Sequence, residues 1–123
     1  MTERSLILVV DDDPIMCQIA RAHLEGAGFD VETSGSAEDG LAKARELQPS
    51  LIILDFAMPG GSGGDVLRTI RRDGRIGSTP VLMVTAWSMD EAKMRTAGLP
   101  ALWLQKPITG QTLLHGVNMA LAA

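Results

Sequence analysis

The chain has 123 residues, a length that suits one domain with one adequate core, and its hydrophobic (46%) and charged (21%) fractions are those of a soluble globular protein. A net charge of −4 provides no electrostatic footprint for nucleic acid or an anionic membrane. The single cysteine, Cys17, excludes an internal disulfide framework, and the N-terminal "MTERS" is neither a signal peptide nor a membrane span, so a cytoplasmic protein is expected.

"LILVV" (6–10) is a Val/Ile-rich run with the pattern of a strand buried on both faces. A helix is expected from Pro14 to about Ala27, with Met16, Ile19, Ala20 and Leu24 on its inward stripe. "DVETS" (30–34) is shorter and more polar, which predicts an edge strand. Ser36 is the candidate N-cap of a helix over 36–47 with Leu41, Ala44 and Leu47 turned inward. "LIILD" (51–55) is a second buried strand, followed by a glycine-rich loop and a helix near 64–72. "PVLMVT" (80–85) is a third.

"SMDE" (88–91) has the form of a capping box and predicts a helix to about Ala97. "ALWLQ" (101–105) is the last strand, and 109–121 closes the chain as a helix with Leu113, Leu114, Val117 and Leu121 inward. Strand and helix thus alternate five times. Such alternation predicts right-handed crossovers and a doubly wound, five-stranded parallel α/β sheet with helices on both faces. The whole chain, 1–123, is expected to be a single domain.

In an open parallel sheet, ligands bind beyond the carboxyl ends of the strands. Those ends carry Asp11, Asp12 and Asp13 after the first strand, Asp55 on the third, Thr85 on the fourth and Lys106 on the fifth, whereas Ser34 and Gly35 on the second carry nothing distinctive. Asp13 directly precedes Pro14 and is explained as a helix N-cap. The remaining acids, about 5 Å apart, repel by roughly 3 kcal/mol per pair at an effective dielectric near 20. All-oxygen donors with no His or Cys point to Mg²⁺ or Mn²⁺. A divalent metal beside a lysine and a threonine hydroxyl suits a phosphoryl group, and Asp55, alone at the end of its strand, is the natural nucleophile.

"LVVDDDP", "LIILDFAMPGGSG", "VLMVTA" and "LQKPI", in that order, resemble the receiver domains of two-component response regulators, the CheY-like flavodoxin-like fold. The resemblance covers almost the whole chain. It implies Asp55 as phospho-acceptor and Mg²⁺ bound by Asp12 and Asp55 directly, by the Ala57 carbonyl, and by Asp11 through water. It further implies Thr85 and Lys106 on the phosphoryl oxygens, a cis Lys106–Pro107 bond, and Trp103 at the position of an aromatic rotameric switch. The resemblance also implies that Ala57 and Trp87 stand at the positions that tune dephosphorylation. The implied partners are a sensor histidine kinase or histidine phosphotransfer protein and a downstream protein, with no direct contact to nucleic acid or membrane. Catalytic character would be confined to the domain's own phosphoryl transfer and slow autodephosphorylation.

Gly63 matches the family glycine, whereas the fourth helix is about two residues short of the family pattern. A rival reading is a small phosphatase resembling the haloacid dehalogenase family, using Asp11 and Asp13 as its D-x-D. Against it, no acidic pair follows Lys106. A third reading is a degenerate receiver serving as a binding module, which the presence of every core residue disfavours. The chain ends just after its last helix, so either a complete single-domain regulator or the receiver of a longer protein is expected.

Overall fold

Five short runs pair into one parallel sheet, and the computed structural model describes residues 4–58, 61–86, 96 and 99–122, with Gly61 and Ser62 by backbone alone. In chain order the described elements are β1 (Leu6–Val10), α1 (Pro14–Gly26), β2 (Asp30–Ser34), α2 (Ala37–Leu47), β3 (Leu51–Asp55), β4 (Ala57–Met58), β5 (Gly61–Ser62), α3 (Gly63–Arg72), β6 (Val81–Thr85), β7 (Leu102–Gln105) and α4 (Gly110–Ala122). The main sheet has the order β2-β1-β3-β6-β7, with every neighbouring pair parallel. Apart from Thr96, the capping-box helix expected from 88 to about 97 lies outside the described residues, as does Trp87.

Alternation along the strands divides the core in two. Leu8, Val10, Ile52, Leu54, Val81 and Met83 face α2 and α3, while Ile7, Val9, Leu51, Ile53, Leu82 and Val84 face α1 and α4. A strand whose successive side chains enter two different hydrophobic layers has no polar face to spare, which explains the unbroken apolar runs of β1, β3 and β6. β2 lies at one edge, as its polar sequence requires. β7 lies at the other with only one neighbour, so Leu102 is 37% exposed and the strand is less buried than its apolar sequence suggests.

Three details differ from the sequence reading. The inward stripe of α1 is Cys17, Ala20 and Leu24, whereas Ile19 is 43% exposed. The branched Ile15 and Ile19 of this helix face outward. Leu47 is also exposed, because α2 ends there and Gln48 turns the chain away in the left-handed conformation (φ 45°). The glycine-rich loop after β3 contains a two-stranded antiparallel ladder, β4–β5. At the end of α3 the Arg71 guanidinium turns inward and donates to the carbonyls of Gly77, Thr79 and Pro100.

Gly40 shows how closely α2 sits on β1. A Cβ there would lie 2.8 and 3.0 Å from the two methyls of Val10. Alanine gains about 1 kcal/mol in helix propensity over glycine, while overfilling a packed core costs about 1–3 kcal/mol. Gly40→Ala is therefore expected to lower stability in urea denaturation, and the same change in a Val10→Ala background to raise it. A stabilised single variant would contradict this account of the α2–β1 contact.

Candidate functional site

The parallel register brings the strand ends to one rim. Val10 pairs with both Ser34 and Leu54, Asp55 with Val84, and Thr85 with Gln105. The residues beyond these pairs are Asp11 after β1, Phe56 after β3 and Lys106 after β7. Backbone bonds extend each ladder by one rung: Asp11 N–H donates to the Ser34 carbonyl (2.9 Å), Phe56 N–H to Val84 (2.8 Å) and Lys106 N–H to Thr85 (2.7 Å). The rim is thus set by the sheet itself.

Asp11, Asp12 and Asp55 each offer a carboxylate oxygen within 4.8 Å of the others, a grouping able to hold a metal ion. Asp11 (4% exposed) and Asp55 (6%) are buried, whereas Asp12 is exposed. Lys106 Nζ lies 3.4 Å from Asp11 Oδ2 and 3.6 Å from Asp55 Oδ2. Three ionised acids against one ammonium leave an excess of negative charge that a bound cation would relieve. Asp13 is outside this group, because its side chain accepts the Ile15 N–H at 2.9 Å as the N-cap of α1. That engagement also counts against the D-x-D reading.

Thr85 is fully buried at the end of β6, and the Lys106–Pro107 bond is cis. Ala57 is exposed beside the acids, and its N–H donates to Asp55 Oδ1 at 3.3 Å. Trp103 is half-buried, its ring 5.9 Å from that of Phe56 and tilted by 53°. The segment after Asp55 is fixed by Gly63, whose N–H donates to the Phe56 carbonyl at 2.6 Å. A Cβ at Gly63 would stand 2.6 Å from both the Asp55 carbonyl oxygen and Phe56 Cα, backbone atoms that cannot give way, so no larger residue fits. His23 and His115 are exposed on α1 and α4, outside the acidic group.

The sequence reading missed two supports of Asp11. One is Ser34, whose carbonyl receives the Asp11 amide, and the other is Cys17, whose thiol donates to the Asp11 carbonyl at 3.3 Å. Parallel register was the available signal for Ser34, since the end of β2 must lie beside that of β1. A groove of about 440 Å³ opens from Asp11 and Asp12 along Cys17, Arg21, Ser34 and Lys43.

Burial pushes the Asp55 carboxyl up to about 6 from 3.8, with the Asp11 charge adding to the rise and Lys106 opposing it. Between about pH 4 and pH 6 the metal-free folded state therefore holds a proton that the unfolded chain has released, and stability falls as pH rises through this window by at most about 3 kcal/mol. Asp55→Asn removes the ionisation. In chelator at pH 8, denaturation should show the variant more stable than wild type by about 1–3 kcal/mol, with the gap closing near pH 4. An equal gap at both pH values would show that Asp55 carries no such penalty.

The family model described as response regulator receiver domain matches residues 7–118. The chain is 42% identical over 85 residues to the DNA-binding response regulator MtrA of Mycolicibacterium smegmatis, covering 69% of this chain and 36% of MtrA, and so spans only about a third of that relative's length. It is 33% identical over 117 residues to Protein PilH of Pseudomonas aeruginosa, covering 94% of this chain and 97% of PilH. Among solved structures, chemotaxis protein CheY4 of Vibrio cholerae superposes with a TM-score of 0.90 at 31% identity, over 96% of this chain and 99% of CheY4. With the parallel sheet and the acidic rim in place, these likenesses show that the chain belongs to the response regulator receiver domain family of two-component signalling.

Proposed function

We propose that residues 1–123 act as one receiver unit that takes a phosphoryl group onto Asp55 from a sensor histidine kinase or a histidine phosphotransfer protein, and thereby switches a protein-binding surface. The observation that carries this reading is the meeting of three carboxylates and one lysine at the rim of a parallel sheet.

The donor set fits a hard divalent cation, because it consists of oxygens alone and bears more negative charge than Lys106 neutralises. Asp11, Asp12 and Asp55, with the Ala57 carbonyl, are the residues proposed to hold Mg²⁺ or Mn²⁺. When bound, the ion supplies charge neutralisation for the phosphoryl oxygens.

The chain's own residues do the rest. The Ala57 N–H holds Asp55 Oδ1, while Oδ2 lies toward Lys106. Attack by an Asp55 carboxylate oxygen on phosphorus forms the acyl phosphate as the donor's P–N bond breaks, and the leaving imidazole retains the electron pair and takes up a proton. Lys106 and Thr85 are proposed to hold the transferred oxygens. Trp103, against the Phe56 that follows the acceptor, is proposed to report the change to the sheet surface. This is positioning of a donor's chemistry rather than turnover of a free substrate.

The name of MtrA describes that protein as DNA-binding. For this chain, with its net charge of −4, protein contacts are the proposed output. No helix among the described residues is long and apolar enough to cross a membrane, and a cytoplasmic location is proposed.

Incubation with a small acyl phosphate and Mg²⁺ should label Asp55, identified by peptide mass spectrometry, and Asp55→Asn should lose the label. Asp12→Ala should abolish the Mg²⁺ response. Label on Asp11 instead would support the phosphatase reading and overturn this one. Ala57 offers no side-chain hydrogen bond to an attacking water, so the phosphate should be long-lived, and Ala57→Asn should hasten its loss by about tenfold or more. Wild type already as fast as that variant would remove Ala57 from control of lifetime.

A further inference from the structure

The end of β2 is more elaborate than an edge strand needs. Ser34 is 4% exposed, and its hydroxyl lies 2.7 Å from Asp39 Oδ2 in the first turn of α2 and 3.2 Å from the Ser36 carbonyl. Lys43, one turn further along α2, closes the arrangement by reaching the same Asp39 oxygen at 3.3 Å and the Thr33 carbonyl at 2.7 Å. The last two carbonyls of β2 therefore have fixed roles. That of Thr33 holds Lys43, and that of Ser34 holds the Asp11 amide.

We infer that Ser34, Asp39 and Lys43 form a positioning group for the Asp11–Asp12 turn, and that this group sets how tightly the turn binds a divalent cation. The inference rests on the reading of Asp11 and Asp12 as metal-binding residues. Asp11 N–H is the first rung beyond the β1–β2 ladder, which ends at Val10–Ser34. Where the Ser34 carbonyl points therefore decides where the backbone of Asp11 and Asp12 lies. The Asp11 carboxylate is already committed, accepting from Asp13 N–H at 2.9 Å and from Lys106 at 3.4 Å. The exposed Asp12 side chain depends on the backbone for its direction.

Without the Ser34 hydroxyl, the β2–α2 turn loses its inner tie, and the carbonyl under Asp11 is free to tilt. The hydrogen bond from Ser34 and the charge of Lys43 also hold the Asp39 carboxyl below its usual range, so the group stays assembled at neutral pH. Outer groups that orient metal-binding side chains typically change affinity by about 10–100-fold when removed.

Mg²⁺ titration calorimetry on the whole chain at neutral pH tests the inference, alongside denaturation in chelator. Ser34→Ala and Asp39→Asn should each weaken Mg²⁺ binding by about tenfold. Ser34→Thr, which keeps the hydroxyl, should bind close to wild type. Ala44→Gly loosens α2 without touching these bonds, and it should leave Mg²⁺ affinity unchanged. Wild-type affinity in both Ser34→Ala and Asp39→Asn would overturn the inference, as would an equal loss in Ala44→Gly. If those two variants bind normally while Asp12→Ala does not, the positioning role alone falls. A wild type that binds no Mg²⁺ overturns the metal reading and this inference together.

Discussion

The structure depends on an electrostatic imbalance held in place by strand register. Asp11, Asp12 and Asp55 crowd together at the end of a largely apolar sheet, and among the described residues the Lys106 ammonium is the cation that lies against two of them, Asp11 and Asp55. Left to themselves, these acids would separate into water. They cannot, because Asp11 and Asp55 close β1 and β3, neighbouring strands paired from Ile7–Leu51 to Val10–Leu54. The hydrophobic core thus supplies the restraint, and the raised Asp55 ionisation is its signature. Strain of this kind, confined to the residues that would meet a ligand, is characteristic of functional sites.

The surroundings of the rim follow from that constraint. Gly63 must lack a side chain because its backbone lies against Asp55 and Phe56, and Asp13 must leave the acidic group to begin α1. Each neighbour of the acids has a separate task, so three consecutive aspartates have three different environments. Asp11 is buried and bonded through its amide, carbonyl and carboxylate. Asp12 is exposed, and Asp13 caps a helix.

Much of this was legible in the sequence, for identifiable reasons. Buried strands show unbroken apolar runs, and the rim follows from reading only their last residues, so β1, β3 and β6 and the grouping of Asp11, Asp12 and Asp55 were accessible. The inward face of α1 was legible only in part, since Ala20 and Leu24 lie on it as expected but Ile19 is exposed and Cys17 is buried. Met16–Ile19 and Cys17–Ala20 both fit helical spacing, so the pattern alone does not select Cys17 over Ile19. Ser34 was passed over because serine at a strand end is commonplace. Its importance comes from a backbone carbonyl and from contacts with a helix that periodicity does not reveal. The exposure of β7 was hidden for a similar reason, since an apolar strand at an edge and one in the centre read alike.

The two edges of the sheet consequently meet the rim in different ways. β2 is pinned at its end by Ser34 and Lys43, and it faces the acids only through the backbone. β7 carries Trp103 and leads directly into Lys106, so a four-residue strand with one neighbour joins the charged rim to a half-buried aromatic ring. At its other end, the Arg71 guanidinium holds the Pro100 carbonyl just before the strand begins. At the rim the strand is tied as well, through the Lys106 N–H on the Thr85 carbonyl and the Lys106 ammonium between Asp11 and Asp55. Trp103 lies between these two ties and packs against the core cluster that contains Phe56 and Met83, so the charged rim and the core meet on one strand.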